Sequence, residues 1–371
     1  MQTINVELKQ IVDNSYPIYI GVDIIKQLLL VLNTHLTAQV VIITDTNVAK
    51  YHLDFIVRQL VEHDYKPLVL TIKAGEGSKN SRTKEYLENS MFANKINRQA
   101  LMIAFGGGVV GDLAGYIAST YMRGIKYLQI PTSLLAIFDS SVGGKTAINN
   151  RYGKNLVGSF YQPIAVLIDL KFLLTLPRRH LVNGIIEAIK IFLTFDKDYF
   201  DLLANNLDKI FKLDREFLLK IIKQALLLKV RVVIQDEKEQ NLRMALNFGH
   251  TLGHAIEKVS NYKILHGIAV GLGIIVECLI AVNLGKLKIN DFYQIKQVFD
   301  RLQVNYKLIS KYDIAQISMA TLFDKKNSTN NVKCVLIKQI GKIASCNSLV
   351  STEVSLDDIM LALQQLFTND E

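Results

Sequence analysis

Three histidines and one acid have the residue types and spacing of a metal site. His250 and His254 are four residues apart in NFGHTLGH, so on a helix they share one face. His266 follows twelve residues after His254, and Glu187 lies in the apolar segment GIIEAIK, with Lys190 as its nearest cation in sequence. A catalytic zinc takes three protein ligands and keeps one position open. The set therefore predicts a divalent metal, and the spacing leaves open which two histidines bind it.

A glycine loop predicts a nucleotide site. Residues 106–111 read GGGVVG and satisfy the pattern G-x-G-x-x-G between a predicted strand and a predicted helix. Such glycines let the backbone approach a pyrophosphate, whose charge then lies at the helix N-terminus. The alternative is that they only permit tight packing of the helix on the strand. About twenty residues on stands Pro131 rather than an acid, so Asp45, at the end of VVIITD, is the better ribose candidate.

A second loop, GEGSK at 75–79, also follows a predicted strand. Its Glu76 offers an acceptor for a ribose hydroxyl, and its Lys79 offers a cation for a phosphate. Taken alone, the loop is typical of a turn with two solvated charges.

Polar and charged side chains in several loops indicate an anionic substrate. Each of them alone is typical of a solvated surface group. If they meet in one cleft, they bind a substrate with two anionic ends, because charge-assisted hydrogen bonds to carboxylate and phosphate are strong. Such a pocket beside a nucleotide and a metal suits redox chemistry on a phosphorylated hydroxy acid. The set consists of Asp139, Lys145, Lys154, Asn155, Lys190, Lys229, Arg243, Lys325 and Lys326.

Composition limits the function classes. The chain has 371 residues with 43 Lys and Arg against 34 Asp and Glu, a net charge of +9, and its length suits about two domains. Without an aromatic-interleaved basic stripe, zinc-finger spacing or a basic tail, we expect no nucleic-acid partner. The three cysteines, Cys278, Cys334 and Cys346, have no paired spacing, which favours a reducing, cytoplasmic location.

One apolar stretch raises the question of a membrane. Residues 267–285 are nearly long enough to span a bilayer, but Glu277 and Asn283 interrupt them, so we expect a buried core helix and no membrane partner. The first residues, MQTINVELKQ, lack a basic region followed by an apolar core, so we expect no signal peptide.

The predicted elements that position these groups change character near residue 175. In the first half, β-branched runs at 40–44, 67–72, 101–105, 126–130 and 165–169 alternate with helical patterns such as 80–92 and 112–122. This alternation predicts a parallel sheet with helices on its faces. Residues 1–175 are thus expected to form an α/β Rossmann-like domain, ending at the turn Thr175-Leu176-Pro177.

The second half is predicted to be mainly α-helical, over residues 176–371. Apolar residues recur at helical spacing in segments 181–194, 215–235, 245–259, 267–285 and 290–302. Two short apolar segments within 332–350 predict a small hairpin, and the polar run DKKNSTNNVK at 324–333 predicts a mobile loop.

With these motifs in view, the sequence resembles the 3-dehydroquinate synthase family. The similarity covers nearly the whole chain, through TDTNV, GGGVVGDLAGY, RGIKYLQIPTSLL, GKNLVGSFYQP, GIIEAIK, LHGIAVGLG and DKKN. The longest and most specific motifs are DSSVGGKTAIN and NFGHTLGHAIE. The resemblance implies a nucleotide-binding domain, a helical domain, and a site between them that uses NAD and a divalent metal, commonly zinc, with cobalt as an alternative.

The resemblance also assigns residues. It implies Glu187, His250 and His266 as metal ligands and Arg123 as the arginine that reaches the neighbouring subunit's site in this usually dimeric family. The implied NAD contacts are Asp45, Asn47, Gly75, Glu76, Lys79, Gly107, Gly108, Val109, Gly111, Asp112, Thr132, Ser133, Lys145, Lys154, Phe172 and Thr175. The implied substrate contacts are Asp139, Lys145, Lys154, Asn155, Lys190, Lys229, Arg243, Asn247, His254 and one or both of Lys325 and Lys326.

The implied reaction belongs to the shikimate pathway. It converts 3-deoxy-D-arabino-heptulosonate 7-phosphate, a small anionic sugar phosphate, to 3-dehydroquinate and phosphate. The steps are transient oxidation by NAD, elimination of phosphate, return of the hydride and intramolecular aldol closure. Lys229 and Arg243 are expected to hold the carboxylate. The expected phosphate contacts are Lys145, Asn155, Asn247 and His254.

Four positions depart from the family pattern. Ala74 replaces an acid, Ser133 a threonine, Leu174 a lysine and Ile268 a glutamate. None of them is a proposed metal ligand, so the departures concern cofactor affinity more than the reaction.

Three other functions remain open from the sequence. A different sugar-phosphate cyclase uses a substrate without the carboxylate, and Lys229 together with Arg243 argues against it. A metal-dependent polyol dehydrogenase of similar architecture releases NADH at each turnover. A non-enzymatic sensor of the same fold is opposed by the intact set of candidate ligands and cations.

Overall fold

A six-stranded parallel sheet organises the first half of the chain. The computed structural model describes residues 13–35, 39–322, 331–345 and 349–368. The strands of this half are β1 (Ile18–Gly21), β2 (Val40–Asp45), β3 (Leu68–Ile72), β4 (Leu101–Gly106), β5 (Lys126–Pro131), β6 (Lys145–Asn150), β7 (Gly153–Phe160) and β8 (Val166–Asp169). Six of them pair in the order β1-β8-β5-β4-β2-β3, and every pairing is parallel. The central strands are apolar and buried on both faces, as a parallel sheet covered by helices requires.

Helices follow the strands. They are α1 (Ile25–Thr34), α2 (Thr46–Val48), α3 (Asp54–Val61), α4 (Ser81–Ala93) and α5 (Gly108–Thr120). Short 3₁₀ segments occupy Glu76–Ser78, Tyr121–Arg123 and Leu170–Thr175, and π-helical turns occupy Ala49–Leu53 and Ala136–Ser140. Side-chain caps start two of the helices: Asp45 accepts from the backbone at the start of α2, and Asn80 accepts from the Thr83 N–H at 2.9 Å at the start of α4.

The hairpin β6–β7 stands apart from the main sheet. Its strands pair antiparallel from Lys145 opposite Phe160, and β6 packs on α5. The Asn149 N–H donates to the Lys79 carbonyl at 2.8 Å, which ties the hairpin to the loop after β3. This contact brings Lys154 and Asn155, at the start of β7, next to the carboxyl edge of the sheet.

The second half is a helical assembly with two small strand pairs. Its helices are α6 (Arg178–Phe195), α7 (Lys197–Asn205), α8 (Leu207–Phe211), α9 (Arg215–Gln235), α10 (His250–Val259), α11 (His266–Asn283), α12 (Ile289–Arg301), α13 (Ile314–Thr321) and α14 (Leu356–Thr368). Its strands are β9 (Asn331–Val335), β10 (Ile337–Gln339), β11 (Lys342–Ile343) and β12 (Ser351–Ser355). The 3₁₀ segments are Leu242–Asn247 and Tyr306–Leu308. Strand β9 pairs with β12, and β10 pairs with β11.

Two glycines allow the close helix packing that builds the site. Gly249 precedes α10 with φ +77, and a Cβ there would lie 2.4 Å from Ile274 Cγ1 on α11. Gly267, the second residue of α11, would place a Cβ 1.8 Å from the Asn183 carbonyl oxygen on α6. The start of α10 can therefore approach α11, and the start of α11 can approach α6, only because both side chains are missing.

The predicted fold class, an α/β Rossmann-like half followed by a mainly helical half, is confirmed. All five predicted strands and the main predicted helices form, within a few residues of the expected ends. Strand β1 and the β6–β7 hairpin were not predicted. The expected hairpin within 332–350 forms as β10–β11, whereas β9 pairs beyond that range with β12. The division at residue 175 stays a prediction, and most of the predicted loop at 324–333 lies outside the described residues.

The predicted core helix is confirmed as well. Helix α11 is long and apolar enough to cross a bilayer by length and composition, but 78% of its residues are buried within the protein. It contacts α6, α10, α12 and α14. Helix α11 is therefore the central helix of the second half.

Candidate active site

Glu187, His250 and His266 converge from three helices. Glu187 lies in the middle of α6, while His250 and His266 are the first residues of α10 and α11. Glu187 Oε1 lies 4.0 Å from His250 Nε2 and 3.7 Å from His266 Nε2. One ligand atom from each residue lies within 4.8 Å of the other two. This spacing suits a single ion with metal–ligand bonds of about 2 Å.

The carboxylate of Glu187 has the environment of a metal ligand. Its side chain is fully buried, and neither oxygen accepts a hydrogen bond from the described residues. The Lys190 ammonium is 2.6 Å from Oε2, but it lies outside hydrogen-bond geometry. Burying a charged group without hydrogen bonds is costly. A bound cation would remove this cost, and a set of two imidazoles and one carboxylate fits zinc or cobalt.

The protonation of the two imidazoles differs. Burial, together with the nearby Lys190 ammonium, holds the pKa of His250 well below its usual value. Its Nδ1 lies 3.3 Å from the Phe248 carbonyl, so Nε2 keeps its lone pair towards Glu187. Burial alone would lower the pKa of His266, but the carboxylates of Glu257, Glu187 and Asp139 together outweigh burial and raise it to about 9. His250 is therefore a neutral imidazole at pH 7, the form that binds metals.

A second group of possible ligands shares His266. His254, Glu257 and His266 also bring one ligand atom each within 4.8 Å. However, Glu257 already accepts from Lys154 at 2.7 Å and from His266 Nδ1 at 3.0 Å, whereas Glu187 accepts no hydrogen bond. The exposed ring of His254 lies 5.3 Å from that of His250. The geometry favours Glu187 with His250 and His266 as the metal set.

The buried Lys229 and the partly exposed Asp139 form a charged pair next to this cluster. Lys229 Nζ is 3.2 Å from Asp139 Oδ1 and 3.1 Å from the Phe138 carbonyl oxygen. Burial lowers the pKa of Lys229 to about 8, against the opposing effect of Asp139. Burial would raise the pKa of Asp139, but the ammonium groups of Lys229 and Lys190 hold it well below its usual range. The pair thus provides a buried cation beside the metal candidates.

Glu239 gathers two of the groups predicted to bind phosphate. Its Oε2 is 2.7 Å from Lys145 Nζ, and its Oε1 is 2.5 Å from Asn247 Nδ2. The nearby guanidinium of Arg243 is buried and donates to the Gly143 carbonyl at 2.9 Å. A carboxylate therefore lies between Lys145 and Asn247, where an anion of the substrate is expected to bind.

The predicted NAD residues lie along the carboxyl edge of the sheet. Asp45 ends β2, and its Oδ1 accepts from the Asn47 N–H at 2.8 Å. Glu76 follows β3, after Gly75 with φ +111, and its Oε1 accepts from Asn149 Nδ2 at 2.7 Å. Thr132 and Ser133 directly follow β5. In open α/β sheets, ligands bind at this edge.

Lys79 connects the loop after β3 to the other parts of this edge. Its Nζ donates to Asp112 Oδ2 on α5 and to Asn155 Oδ1 on the hairpin, both at 2.5 Å. Burial raises the pKa of Asp112, against the opposing charge of Lys79. The lysine is itself buried, so it holds three separate segments in one arrangement.

The glycine loop lies where β4 passes into α5. Gly107 precedes the helix, and Gly108 and Val109 begin it, where backbone N–H groups have no partner within the helix. Cβ atoms at Gly107 and Gly108 would lie 3.5 Å from Ser133 Oγ and 3.2 Å from Ser140 Oγ. At Gly111 the Cβ would lie 2.6 Å from Gln129 Oε1. The loop therefore serves close packing and leaves room for a pyrophosphate at its start.

Phe172 and Thr175 lie beside the segment that follows Asp45. The Phe172 ring is buried 5.0 Å from the His52 ring, and Thr175 Oγ1 is 2.7 Å from His52 Nε2. His52 belongs to the π-helical turn after α2. Phe172 and Thr175 thus contact the segment that follows Asp45, the ribose candidate.

One predicted residue, Arg123, is not brought into this cluster, and two others lie outside the described residues. Arg123 is exposed after α5, with φ +67, in the turn that also contains Met122 at φ +47. Lys326 lies outside the described residues, as does Lys325.

Glu239 and Glu257 are site residues that the sequence reasoning missed. Glu257 follows His250 by seven residues, and this spacing places it on the same helical face. That signal was available in NFGHTLGHAIE. Glu239 lies in the polar run before Arg243 and has no comparable signal.

Two family models match most of the chain. Residues 69–183 match the model for 3-dehydroquinate synthase N-terminal, and residues 184–327 match that for 3-dehydroquinate synthase C-terminal. The 3-dehydroquinate synthase of Sulfurimonas denitrificans is 39% identical over 367 residues, which cover 98% of each protein.

Solved structures of related cyclases have the same fold. A 2-epi-5-epi-valiolone synthase from Streptomyces hygroscopicus, solved with NAD⁺ and Zn²⁺, has a TM-score of 0.88 at 26% identity and covers 98% of this chain and 100% of that one. A 2-deoxy-scyllo-inosose synthase, solved with carbaglucose-6-phosphate, NAD⁺ and Co²⁺, has a TM-score of 0.84 at 26% identity and covers 94% of this chain and 96% of that one.

Proposed function

Because the chain belongs to the 3-dehydroquinate synthase family, we propose that it converts 3-deoxy-D-arabino-heptulosonate 7-phosphate to 3-dehydroquinate and inorganic phosphate. It is an NAD- and metal-dependent lyase that eliminates phosphate and closes a carbocycle. Its reaction belongs to the shikimate pathway, which leads to the aromatic amino acids.

The observation that carries the proposal is the buried carboxylate of Glu187. It faces the Nε2 atoms of His250 and His266 and accepts no hydrogen bond from the described residues. This arrangement supports the three residues as ligands of one divalent ion. When bound, the metal supplies a Lewis acid for the hydroxyl to be oxidised, and NAD supplies the acceptor and donor of the hydride.

Lys229 and Arg243 are the proposed partners of the substrate carboxylate. Both side chains are buried, and both contact the same loop, at Asp139 and Gly143 respectively. Buried cations stabilise an anion more than exposed ones, because the local dielectric is low. Their role is to orient the substrate so that the hydroxyl to be oxidised faces the metal ligands.

Lys145 and Asn247 are the proposed partners of the phosphate, together with Asn155 and His254. The first two now bind Glu239. The phosphate must therefore replace one carboxylate that the protein supplies. This exchange favours a dianion over weaker anions, because the anion must replace the hydrogen bonds that Lys145 and Asn247 make to Glu239.

Asp45 and Glu76 are the proposed partners of the ribose hydroxyls of NAD. Both carboxylates follow adjacent strands of the sheet and already accept from neighbouring groups. The backbone N–H groups at Gly108 and Val109 are the proposed pyrophosphate donors.

A different sugar-phosphate cyclase is the second candidate, since the two related structures above are of such enzymes. The buried Lys229 and Arg243 favour a substrate that carries a carboxylate. The 39% identity to a 3-dehydroquinate synthase, against 26% to the cyclases, supports the same choice.

We also propose a homodimer in the cytoplasm. The exposed Arg123, held in a left-handed turn after α5, is available to reach the site of a second copy. Cys278 is a free, buried cysteine, which suits a reducing compartment.

The test is incubation with the heptulosonate phosphate, NAD and Zn²⁺, in which phosphate, 3-dehydroquinate and the NADH absorbance are followed together. We expect equal amounts of phosphate and product without net NADH. Net NADH would indicate a polyol dehydrogenase instead. Turnover of sugar phosphates that lack the carboxylate, and none of the heptulosonate, would indicate another cyclase.

Two variants test the metal set. Glu187→Gln and His250→Ala should each lose zinc and turnover while keeping the fold, as judged by circular dichroism. Arg58→Ala on the surface helix α3 is the control and should keep both. Full zinc binding in either site variant would end the assignment.

A further inference from the structure

We propose that Glu257 is a positioning residue that fixes the ring of His266 for metal binding. This inference rests on the proposed function, since it takes Glu187, His250 and His266 as the metal set. Glu257 is not itself a ligand in this reading. It acts through the hydrogen bond that it makes to His266.

Glu257 is placed to hold two groups at once. Its side chain is 1% exposed, so it is shielded from water. Its Oε2 lies 3.0 Å from His266 Nδ1, and its Oε1 lies 2.7 Å from Lys154 Nζ. Each oxygen therefore has its own partner, and the ammonium of Lys154 compensates the buried negative charge.

The ring of His266 lies between two carboxylates. Its Nδ1 faces Glu257, while its Nε2 lies 3.7 Å from Glu187 Oε1. A neutral imidazole carries one N–H and one lone pair. When Nδ1–H donates to Glu257, the lone pair is on Nε2 and points towards Glu187. A carboxylate behind a histidine ligand fixes the tautomer and ring orientation in this way and makes the ligand more basic.

His266 needs such a holder more than His250 does. Its side chain is 24% exposed, against 10% for His250. Like His250 in α10, it is the first residue of its helix, so no preceding helical turn restricts its side chain. Glu257 comes from α10, which is fixed against α11 through the close approach at Gly249. The carboxylate thus replaces packing contacts that His266 lacks.

The pair with Lys154 extends this arrangement to the other half of the chain. Lys154 begins β7, and the next residue, Asn155, accepts from Lys79 at the nucleotide edge. Lys154 also lies over the ring of Tyr262, 4.4 Å from its centre. Tyr262 therefore helps to hold the Lys154 ammonium in place. Lys154 in turn orients the carboxylate of Glu257, and Glu257 orients the ring of His266.

The test measures metal binding by the metal-free protein, without turnover. Zinc dissociation constants from competition with a chromophoric chelator are compared for wild type, Glu257→Gln and Glu257→Ala. Loss of an outer carboxylate of this kind weakens metal binding about 10- to 100-fold. We expect about tenfold for Gln, which keeps an acceptor oxygen, and about a hundredfold for Ala. Lys258→Ala, at an exposed position next to Glu257 on the same helix, is the matched control and should stay within about twofold of wild type.

The absorption spectrum of bound Co²⁺ separates a positioning role from direct ligation. In the proposal the visible bands of Glu257→Gln keep the wild-type position and intensity once the site is saturated. A change in band intensity typical of a new coordination number would make Glu257 a ligand and overturn the proposal. An unchanged zinc affinity in Glu257→Gln would overturn it as well. Should Glu257→Ala fail to fold, the Gln variant decides alone by these two readouts.

A parallel Glu187→Ala variant distinguishes a failure of the positioning role of Glu257 from a failure of the proposed function. If Glu187→Ala binds zinc as wild type does, the metal set is wrong and the proposed function loses its main support. If Glu187→Ala loses zinc and Glu257→Gln does not, only the positioning role fails.

Discussion

Gly267→Ala places a methyl group in the contact between α11 and α6. The new Cβ would lie 1.8 Å from the Asn183 carbonyl oxygen and 2.8 Å from its carbonyl carbon. Non-bonded heavy atoms pack best at about 3.5 Å or more, so the two backbones must separate by about 1.7 Å. Both clashing atoms are backbone, and no side-chain rotation can relieve the contact.

The separation has two energetic consequences. Overpacking of a dense core costs about 1–3 kcal/mol. The hydrogen bond from the Gly267 N–H to Asn183 Oδ1, now 2.7 Å, is lost or lengthened, and such a bond contributes about 1 kcal/mol. We therefore expect the free energy of unfolding to fall by about 2–4 kcal/mol. His266 is the adjacent residue, so its Nε2 moves away from Glu187, and zinc affinity falls at least about tenfold.

The assay is urea unfolding of the metal-free protein, followed by zinc titration of the folded variant. Gly21→Ala, at the end of β1, is the matched control, because an added Cβ there has nothing within 4 Å. It should change stability by less than about 0.5 kcal/mol. If Gly267→Ala equals this control in both stability and zinc affinity, the close approach of α11 to α6 does not hold His266 in place.

Two further outcomes follow from buried charges. Burial lowers the pKa of Lys229 to about 8, so the ammonium proposed to bind the substrate carboxylate is lost as the pH rises through that value. The value of kcat/KM, which reports the free enzyme, should therefore decline above about pH 8. A flat profile up to about pH 9.5 would contradict the proposed role of Lys229. Lys79→Met should cost about 3 kcal/mol, because it leaves the carboxylate of Asp112 buried without its cation. Lys79→Met/Asp112→Leu should regain most of that loss in urea unfolding, and equal stability of the single and double variants would contradict the pairing argument.

The periodic elements of this chain were predictable because each has a local cause. The strand ending at Asp45 and the strand before the glycine loop are continuous apolar runs, which a sheet covered on both faces requires. The order of the strands was not predictable in this way, since each run is equally suited to any central position. Strand β1 was missed because IYIG is short and half-buried, so it has no clear alternation.

The β6–β7 hairpin was missed for a different reason. Its strands, KTAINN and GKNLVGSF, are polar and contain glycine, so the local pattern favours a loop. Contacts with α5 and with the loop at Lys79 form the hairpin, and these are remote in sequence. Local propensity was overridden here by tertiary packing.

In the candidate site, too, some features could be predicted from the sequence and others could not. The histidines and Glu187 could be selected from the sequence because an acid in an apolar helix and histidines at helical spacing are unusual. The pairing of Glu239 with Lys145 and of Glu257 with Lys154 could not be predicted from the sequence, since the partners lie 94 and 103 residues apart. Only the fold shows that Glu257 is buried, that Glu239 is partly buried, and that both are paired with lysines.

The burial of α11 has a consequence for the order in which the chain leaves the ribosome. Helices α6 and α10 precede α11 and cover two of its sides, whereas α12 and α14 are synthesised afterwards. A nascent or truncated chain that ends before Leu356 leaves the side of α11 that packs on α14 uncovered, and α11 has the length and composition of a membrane span. The last helix thus acts as the cover of the core, and chains without it become substrates for chaperones or for aggregation.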